Sequence, residues 1–204
     1  IPASFVAVSV IPGNLPELRV TGIVDEAMLF CPQFRLKTTI SSKAGSNSLT
    51  IEDEITNMKS TESEMQLLYH SNFGAPFLGE SSRLVIPAKE IAPRDLRAAE
   101  DADTWNIYAG PTPGFVEQCY LFVPCADSKG NSMAMLKNAA GDKGVTVRFN
   151  VNELPCLTQW KCCGAMSDGY VTGIEPATNF PSPRVFERKQ GRTVKMASGR
   201  KYNA

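Results

Sequence analysis

Residues 145–151 read Val145-Thr146-Val147-Arg148-Phe149-Asn150-Val151. Apolar side chains fall at every second position, so one face seeks a core and the other water. That period of two belongs to a half-buried strand, not to a helix. Working outward, similar short strands are expected near 4–10, 18–24, 34–40, 48–56, 65–70, 115–123, 132–138, 169–175, 184–188 and 192–197. Turn-forming clusters punctuate them, among them Ile11-Pro12-Gly13-Asn14 and Ser128-Lys129-Gly130-Asn131. Many short strands at this spacing predict an all-β sandwich or barrel. Helical signal is confined to Pro93–Asp103, with Pro93 near the start of one short helix. Glu90 to Pro113 is the most charged and least strand-like region and reads as a long excursion between strands, lining a site. No linker interrupts the chain, so 1–204 is expected to form a single β-sandwich domain.

Composition narrows the function. Basic and acidic residues balance at 21 each, which gives no electrostatic footprint for a nucleic-acid partner. No apolar run approaches the length of a spanning helix and no stretch has a signal-peptide layout. The expectation is a cytoplasmic protein that engages neither nucleic acid nor membrane. Six cysteines and one histidine, with no Cys-x-x-Cys, support neither a zinc site nor another metal centre. Reduced, mostly buried thiols are expected instead. The chain opens on Ile1-Pro2-Ala3 and runs directly into a strand pattern. We therefore expect the C-terminal part of a longer polypeptide, with an N-terminal portion missing.

Four residues break the alternation. In Leu49 to Ile55 the apolar face carries Leu49, Ile51 and Ile55, and Asp53 lies on it. Such a carboxylate either accepts local backbone N–H bonds or meets a ligand. Glu117 aligns with Phe115, Cys119, Leu121 and Val123 on a strand whose two faces both look covered. A structural ion pair and a ligand contact are equally open for it. Glu175 shares a face with Val171 and Gly173, and Gly173 leaves room beside it. Pro176 cannot donate to a ladder, so regular pairing is expected to stop there. Glu175 suits a general base; the plainer reading is a salt bridge to Arg184 or Arg188. His70, the only histidine, ends the run Met65 to His70. A lone histidine in such a run is most often structural, yet it is the side chain that titrates near neutrality.

Two runs alter that balance. His70-Ser71-Asn72-Phe73-Gly74 resembles the His-x-Tyr-Phe-Asn motif of the aldose 1-epimerases, or galactose mutarotases. It is closer still to the His-x-Asn-Phe-Gly form of a bacterial branch of that superfamily. Gly173-Ile174-Glu175-Pro176-Ala177-Thr178-Asn179 resembles the branch's Gly-x-Glu-Pro-x-x-Asn segment. Asp53-Glu54-Ile55-Thr56-Asn57 and Tyr170 fit as well. The resemblance implies a galactose mutarotase-like β-supersandwich of mostly antiparallel strands with a sugar-binding cleft. It implies that His70 is the acid at a sugar ring oxygen and Glu175 the base at the anomeric hydroxyl.

The implied reaction interconverts anomers of a free sugar or sugar derivative by ring opening, and requires neither metal nor organic cofactor. A neutral sugar calls for amides and charged groups that hydrogen-bond in pairs, and for an aromatic platform. Asn72, Asn179, Arg184, Trp105, Trp160 and Glu117 are the candidates. Two departures stand out. Mutarotases supply a second histidine and an arginine from earlier strands, and this chain has no second histidine. The bacterial branch carries a His-Gly segment just ahead of the point matching Ile1, which agrees with the expected missing portion. Asn-Phe-Gly in place of Tyr-Phe-Asn departs from ordinary galactose or glucose specificity. A non-catalytic carbohydrate-binding or sensing domain is the alternative.

Overall fold

Alternation becomes strand nearly everywhere it occurs. The structure is a computed structural model describing residues 1–204. Its strands are β1 (Phe5–Ile11), β2 (Glu17–Ala27), β3 (Gln33–Lys43), β4 (Thr50–Asn57), β5 (Ser63–Met65), β6 (Ser71–Phe73), β7 (Arg83–Val85), β8 (Ala88–Pro93), β9 (Gln118–Pro124), β10 (Asn131–Lys137), β11 (Gly144–Asn150), β12 (Cys156–Cys162), β13 (Val171–Ala177), β14 (Val194–Met196) and β15 (Lys201–Asn203). Two short helices join them, α1 (Leu96–Ala99) and α2 (Arg184–Lys189). All strand pairs are antiparallel. No helix is long and apolar enough to cross a membrane. Where the sequence suggests one domain, the chain divides into two compact units: Ile1–Met65 with Val194–Ala204, and Gln66–Thr193.

The first unit is built on a sheet of order β1-β2-β3-β4-β15. Its register aligns Val8, Val20, Ile40 and Ile51 across four strands. Directly opposed residues share a face, so these four form one apolar row. Each is at least a third exposed, as are Val6, Val10 and Leu18 on the same face. Further along that face of β4, Asp53, Ile55 and Asn57 are buried. The inward placement of Asp53 follows the alternation; the exposure of Leu49 and Ile51 does not. Asn57 donates its amide to the carbonyls of Thr61 and Met196, both at 2.9 Å, which ties β4 to β14.

The second unit holds a sheet of order β6-β13-β12-β9-β8 and a smaller one, β11-β10-β7. The segment Val145–Val151 supplies β11, with Phe149 buried. On the larger sheet, Gln118, Tyr120 and Phe122 align with Leu157, Gln159 and Lys161, then with Thr172 and Ile174. The connection from Arg94 to Glu117 covers this face. Tyr108 Oη lies 2.8 Å from Thr172 Oγ1 and accepts from Gln159 Nε2 at 2.9 Å. The Trp105 ring packs edge-on against Phe122 at 5.0 Å, and Gln118 donates to Asp101 at 2.7 Å. The opposite face presents Cys119, Thr158, Trp160, Gly173, Glu175 and Asn72.

Four expectations change. Residues 184–188 form helix α2, because Pro183 at its N-cap accepts from Phe186 and Glu187 and closes a turn there. No single strand forms at 65–70: β5 ends at Met65, β6 begins at Ser71, and between them only Leu68 bridges Ala177. Regular pairing does not stop at Pro176 on both sides: Leu157 of β12 pairs with it, while β6 pairs only with Thr172–Ile174. The missing proline N–H faces the side where the ladder is interrupted, and pairing there resumes with the bridge from Leu68 to Ala177. The charged excursion begins with strand β8, and only from Arg94 onward does it leave the sheet.

Candidate active site

His70 is aimed by a kink. Ser71 N donates to Tyr69 O at 3.0 Å, an i to i+2 closure with His70 at its centre. His70 has no positive φ, so this is the inverse γ-turn, the form common at strand ends. Tyr69 N donates to Pro176 O at 3.0 Å, which holds the kink beside β13. Extending the β6–β13 register by one residue from Ser71 and Ile174 places His70 opposite Glu175. Histidine Nε2 lies 3.0 Å from Glu175 Oε1. The imidazole is 51% exposed and the carboxylate 5%, so the pair has a wet side and a dry one.

Gly173 makes the space for Glu175. A Cβ there would collide with Glu175 Oε1 and stand 3.2 Å from Trp160 Cβ. The carboxylate therefore lies over a missing side chain. Glu175 Oε1 is buried with no hydrogen bond of good geometry. Opposite it in register on β12, the Thr158 hydroxyl is also buried and unpartnered. Burial pushes the Glu175 carboxyl above its ordinary value; His70 pulls it down and Glu117 adds to the rise. The direction is up because the carboxylate has lost most of its water and gained only one cationic neighbour.

Trp160 stands between this pair and a second carboxylate. Its ring packs edge-on against His70, with centroids 5.6 Å apart and planes inclined at 66°. Its Nε1 donates to Glu117 Oε2 at 2.6 Å. Arg94 donates to Glu117 Oε1 at 3.3 Å and to Cys119 Sγ at 3.0 Å. Burial raises the Cys119 thiol to about 11, with Arg94 opposing, so it is not a thiolate at neutral pH.

The structure brings together His70, Glu175, Trp160 and Glu117, with exposed Asn72 opposite Gly173. Glu117 is not buried as its strand pattern suggests; it is 44% exposed because β9 begins only at Gln118. Trp105 packs on Phe122, on the opposite face of the sheet from His70. Asn179 is buried in its own turn, accepting from Thr178 Oγ1 at 3.0 Å and donating to Phe180 O at 2.6 Å. Arg184 stands exposed at the start of α2. The plainer reading of Glu175, a salt bridge to Arg184 or Arg188, does not form; Glu175 meets His70, while Glu187 is held by two bonds from Arg192 at 2.6 and 2.8 Å. Sequence reasoning missed Thr158, which only the β12–β13 register places beside Glu175. It gave no site role to Arg94 on Glu117, a pairing that the chain's bend after β8 creates.

All six cysteines are free, three of them buried. No three of the chain's His, Cys, Asp and Glu side chains cluster closely enough to hold a metal ion. A hollow of about 360 Å³ lies elsewhere, lined by Pro87, Cys125, Met133 and Arg148 among others. In the His70–Glu175 pair only the imidazole reaches solvent, at a face where Cys119, Thr158 and Glu175 are buried.

The fold has counterparts. A crystal structure of a candidate aldose 1-epimerase from Klebsiella pneumoniae superposes with a TM-score of 0.96 at 37% identity, covering 99% of this chain and 53% of that one. A galactose mutarotase-like protein from Clostridium acetobutylicum gives 0.61 at 19% identity, covering 96% of this chain and 64% of that one. One from Lactobacillus casei gives 0.58 at 15%, covering 97% and 70%. This chain thus spans about half the length of the Klebsiella protein. No curated protein matches it. The fold is galactose mutarotase-like, and residues 1–204 match throughout the family described as domain of unknown function DUF4432, to which this chain belongs.

Proposed function

We propose that this chain carries the acid–base pair of an aldose 1-epimerase-like isomerase acting on a free sugar or close derivative. The observation that carries the reading is the 3.0 Å approach of a half-exposed imidazole to a buried carboxylate. Glu175 takes the proton from the anomeric hydroxyl as His70 donates one to the ring oxygen. The C1–O5 bond breaks and the C1 carbonyl forms. Rotation about C1–C2 and closure on the other carbonyl face return both protons and give the other anomer. The two reacting oxygens share one carbon, so their catalysts must be close neighbours. Each transfer contributes roughly 10²–10⁴-fold in rate. A buried carboxylate with raised proton affinity is a better base for a hydroxyl than one in water.

His70 and Glu175 touch, so the sugar ring lies over them rather than between them. Trp160 offers a flat apolar surface beside that position. Asn72 offers a hydrogen-bonding amide on the same face. Proteins named as a candidate epimerase and as mutarotase-like share the fold, which supports sugar chemistry in general. The cytoplasm is the proposed location, since a free sugar and reduced thiols suit it.

The closed contact also favours a second reading, a carbohydrate-binding or sensing domain without turnover. Polarimetry of α-D-glucose and α-D-galactose with wild type, His70→Ala and Glu175→Ala decides between them. Enhanced mutarotation lost in both variants supports the isomerase. Saturable binding of either sugar without rate enhancement supports the sensor. Rates equal in all three proteins sink the catalytic assignment.

A further inference from the structure

Five side chains form an unbroken line along the face of the larger sheet that carries Glu175: Arg94, Glu117, Trp160, His70 and Glu175. The links are 3.3 Å from Arg94 Nη2 to Glu117 Oε1, 2.6 Å from Trp160 Nε1 to Glu117 Oε2, 5.6 Å between the Trp160 and His70 ring centroids, and 3.0 Å from His70 Nε2 to Glu175 Oε1. The two ends of the line are anchored. Arg94 also bonds Asp95 and Cys119, and Glu175 is buried in β13. The middle is not: His70 is half exposed and sits on a kink.

We propose that Glu117 is a positioning residue rather than a sugar contact: it holds the Trp160 indole in the plane that fixes the His70 ring against Glu175. This rests on the acid–base reading given above. Both Glu117 oxygens already accept hydrogen bonds, and the one from the indole is short and assisted by the carboxylate charge. Each oxygen keeps further acceptor capacity, yet a sugar that recruited Glu117 would have to compete with Arg94 and Trp160 together. Glu117 is the indole's only hydrogen-bonding partner, so losing it frees the Trp160 ring about its side-chain torsions. The Trp160 ring is the aromatic partner of the imidazole. The charged groups facing this line from neighbouring elements are Arg94, Asp95, Glu117 and Glu175.

The single histidine makes the test direct, because the chain has one imidazole and hence one set of histidine ring signals in NMR. The test compares Glu117→Ala, Glu117→Gln and Trp160→Phe. Glutamine keeps an acceptor for the indole; alanine does not; phenylalanine keeps a ring but loses the N–H. We expect Glu117→Ala to lower kcat for α-D-glucose or α-D-galactose by about 10- to 100-fold with KM within about twofold. The His70 ring protons should lose their ring-current displacement in Glu117→Ala, keep most of it in Glu117→Gln, and keep an intermediate share in Trp160→Phe. A rise in KM with unchanged kcat would overturn the proposal in favour of a sugar contact. His70 signals identical in wild type and Glu117→Ala would overturn it outright. Should wild type show no turnover, the isomerase reading fails, while the His70 signals still decide whether Glu117 positions the ring.

Discussion

His70 Nε2 and Glu175 Oε1 stand 3.0 Å apart on neighbouring strands, one side chain half in water and the other almost wholly out of it. Protons therefore reach this pair from one side only. Glu175 gives up little to solvent, and His70 is the route by which protons reach it.

That asymmetry predicts the pH dependence of stability. Burial holds the native Glu175 carboxyl above its ordinary value. The unfolded chain loses this proton near the usual glutamate value of about 4.3, and the native chain loses it at higher pH. Between the two the native state binds more protons, so this residue's contribution falls as pH rises, and the deficit is complete at higher pH. Glu175→Gln removes it. Thermal melts should show a higher Tm for Glu175→Gln than for wild type at pH 7.5, with the gap closing toward pH 4. In anomer exchange the same variant should lose roughly 10²–10⁴-fold. A lower Tm at pH 7.5 would contradict the direction.

Gly173→Ala tests the vacancy under the carboxylate. Alanine in a strand interior ordinarily gains up to about 1 kcal/mol over glycine. Here its Cβ would occupy the place of Glu175 Oε1 and crowd Trp160 Cβ at 3.2 Å. The carboxylate must swing away, and the pair opens. Activity should fall at least about tenfold with near-ultraviolet circular dichroism of Trp160 altered, while far-ultraviolet spectra stay as in wild type.

Glu187 is fully buried and takes both its charge-assisted bonds from Arg192, whose guanidinium also lies over the Phe180 and Phe186 rings. Removing the arginine alone leaves a buried carboxylate uncompensated. Arg192→Leu should cost about 3–5 kcal/mol in urea unfolding, and Arg192→Leu with Glu187→Leu distinctly less. Equal losses would show that the pair's charge is irrelevant.

The row Val8, Val20, Ile40 and Ile51 presents contiguous apolar surface. Patches of this kind bind hydrophobic probes and one another. The chain 1–204 should enhance anilinonaphthalene sulfonate fluorescence in its native state and show concentration-dependent light scattering. Val8→Lys with Ile40→Lys should lower both.

Much of this was readable beforehand where one face of a strand meets water. The alternation in β11, the inward turn of Asp53 and the space beside Glu175 all follow from a period of two. The legible pattern ends where both faces are covered. In β12, Cys156-Leu157-Thr158-Gln159-Trp160-Lys161-Cys162 mixes polar and apolar residues because Gln159 and Lys161 are buried against carbonyls of the covering connection. Nothing in that run reads as a strand until its partners are known. Helix α2 was hidden for another reason: six residues are too few to separate one period from another, and Pro183 and Arg192 settle the matter from outside the segment. The motifs around His70 and Glu175 named the pair; only register could show that Thr158 and the Arg94-held Glu117 share its face.

The kink at His70 has a mechanical meaning. Glu175 belongs to a strand paired on both sides, so displacing it would disturb two ladders. His70 precedes the first paired residue of β6, where its backbone closes on itself through Ser71 and Tyr69. Its ring can swing without breaking any sheet hydrogen bond. In the proposed reaction the base is thus part of the frame and the acid the adjustable part, set by one side chain instead of by the fold.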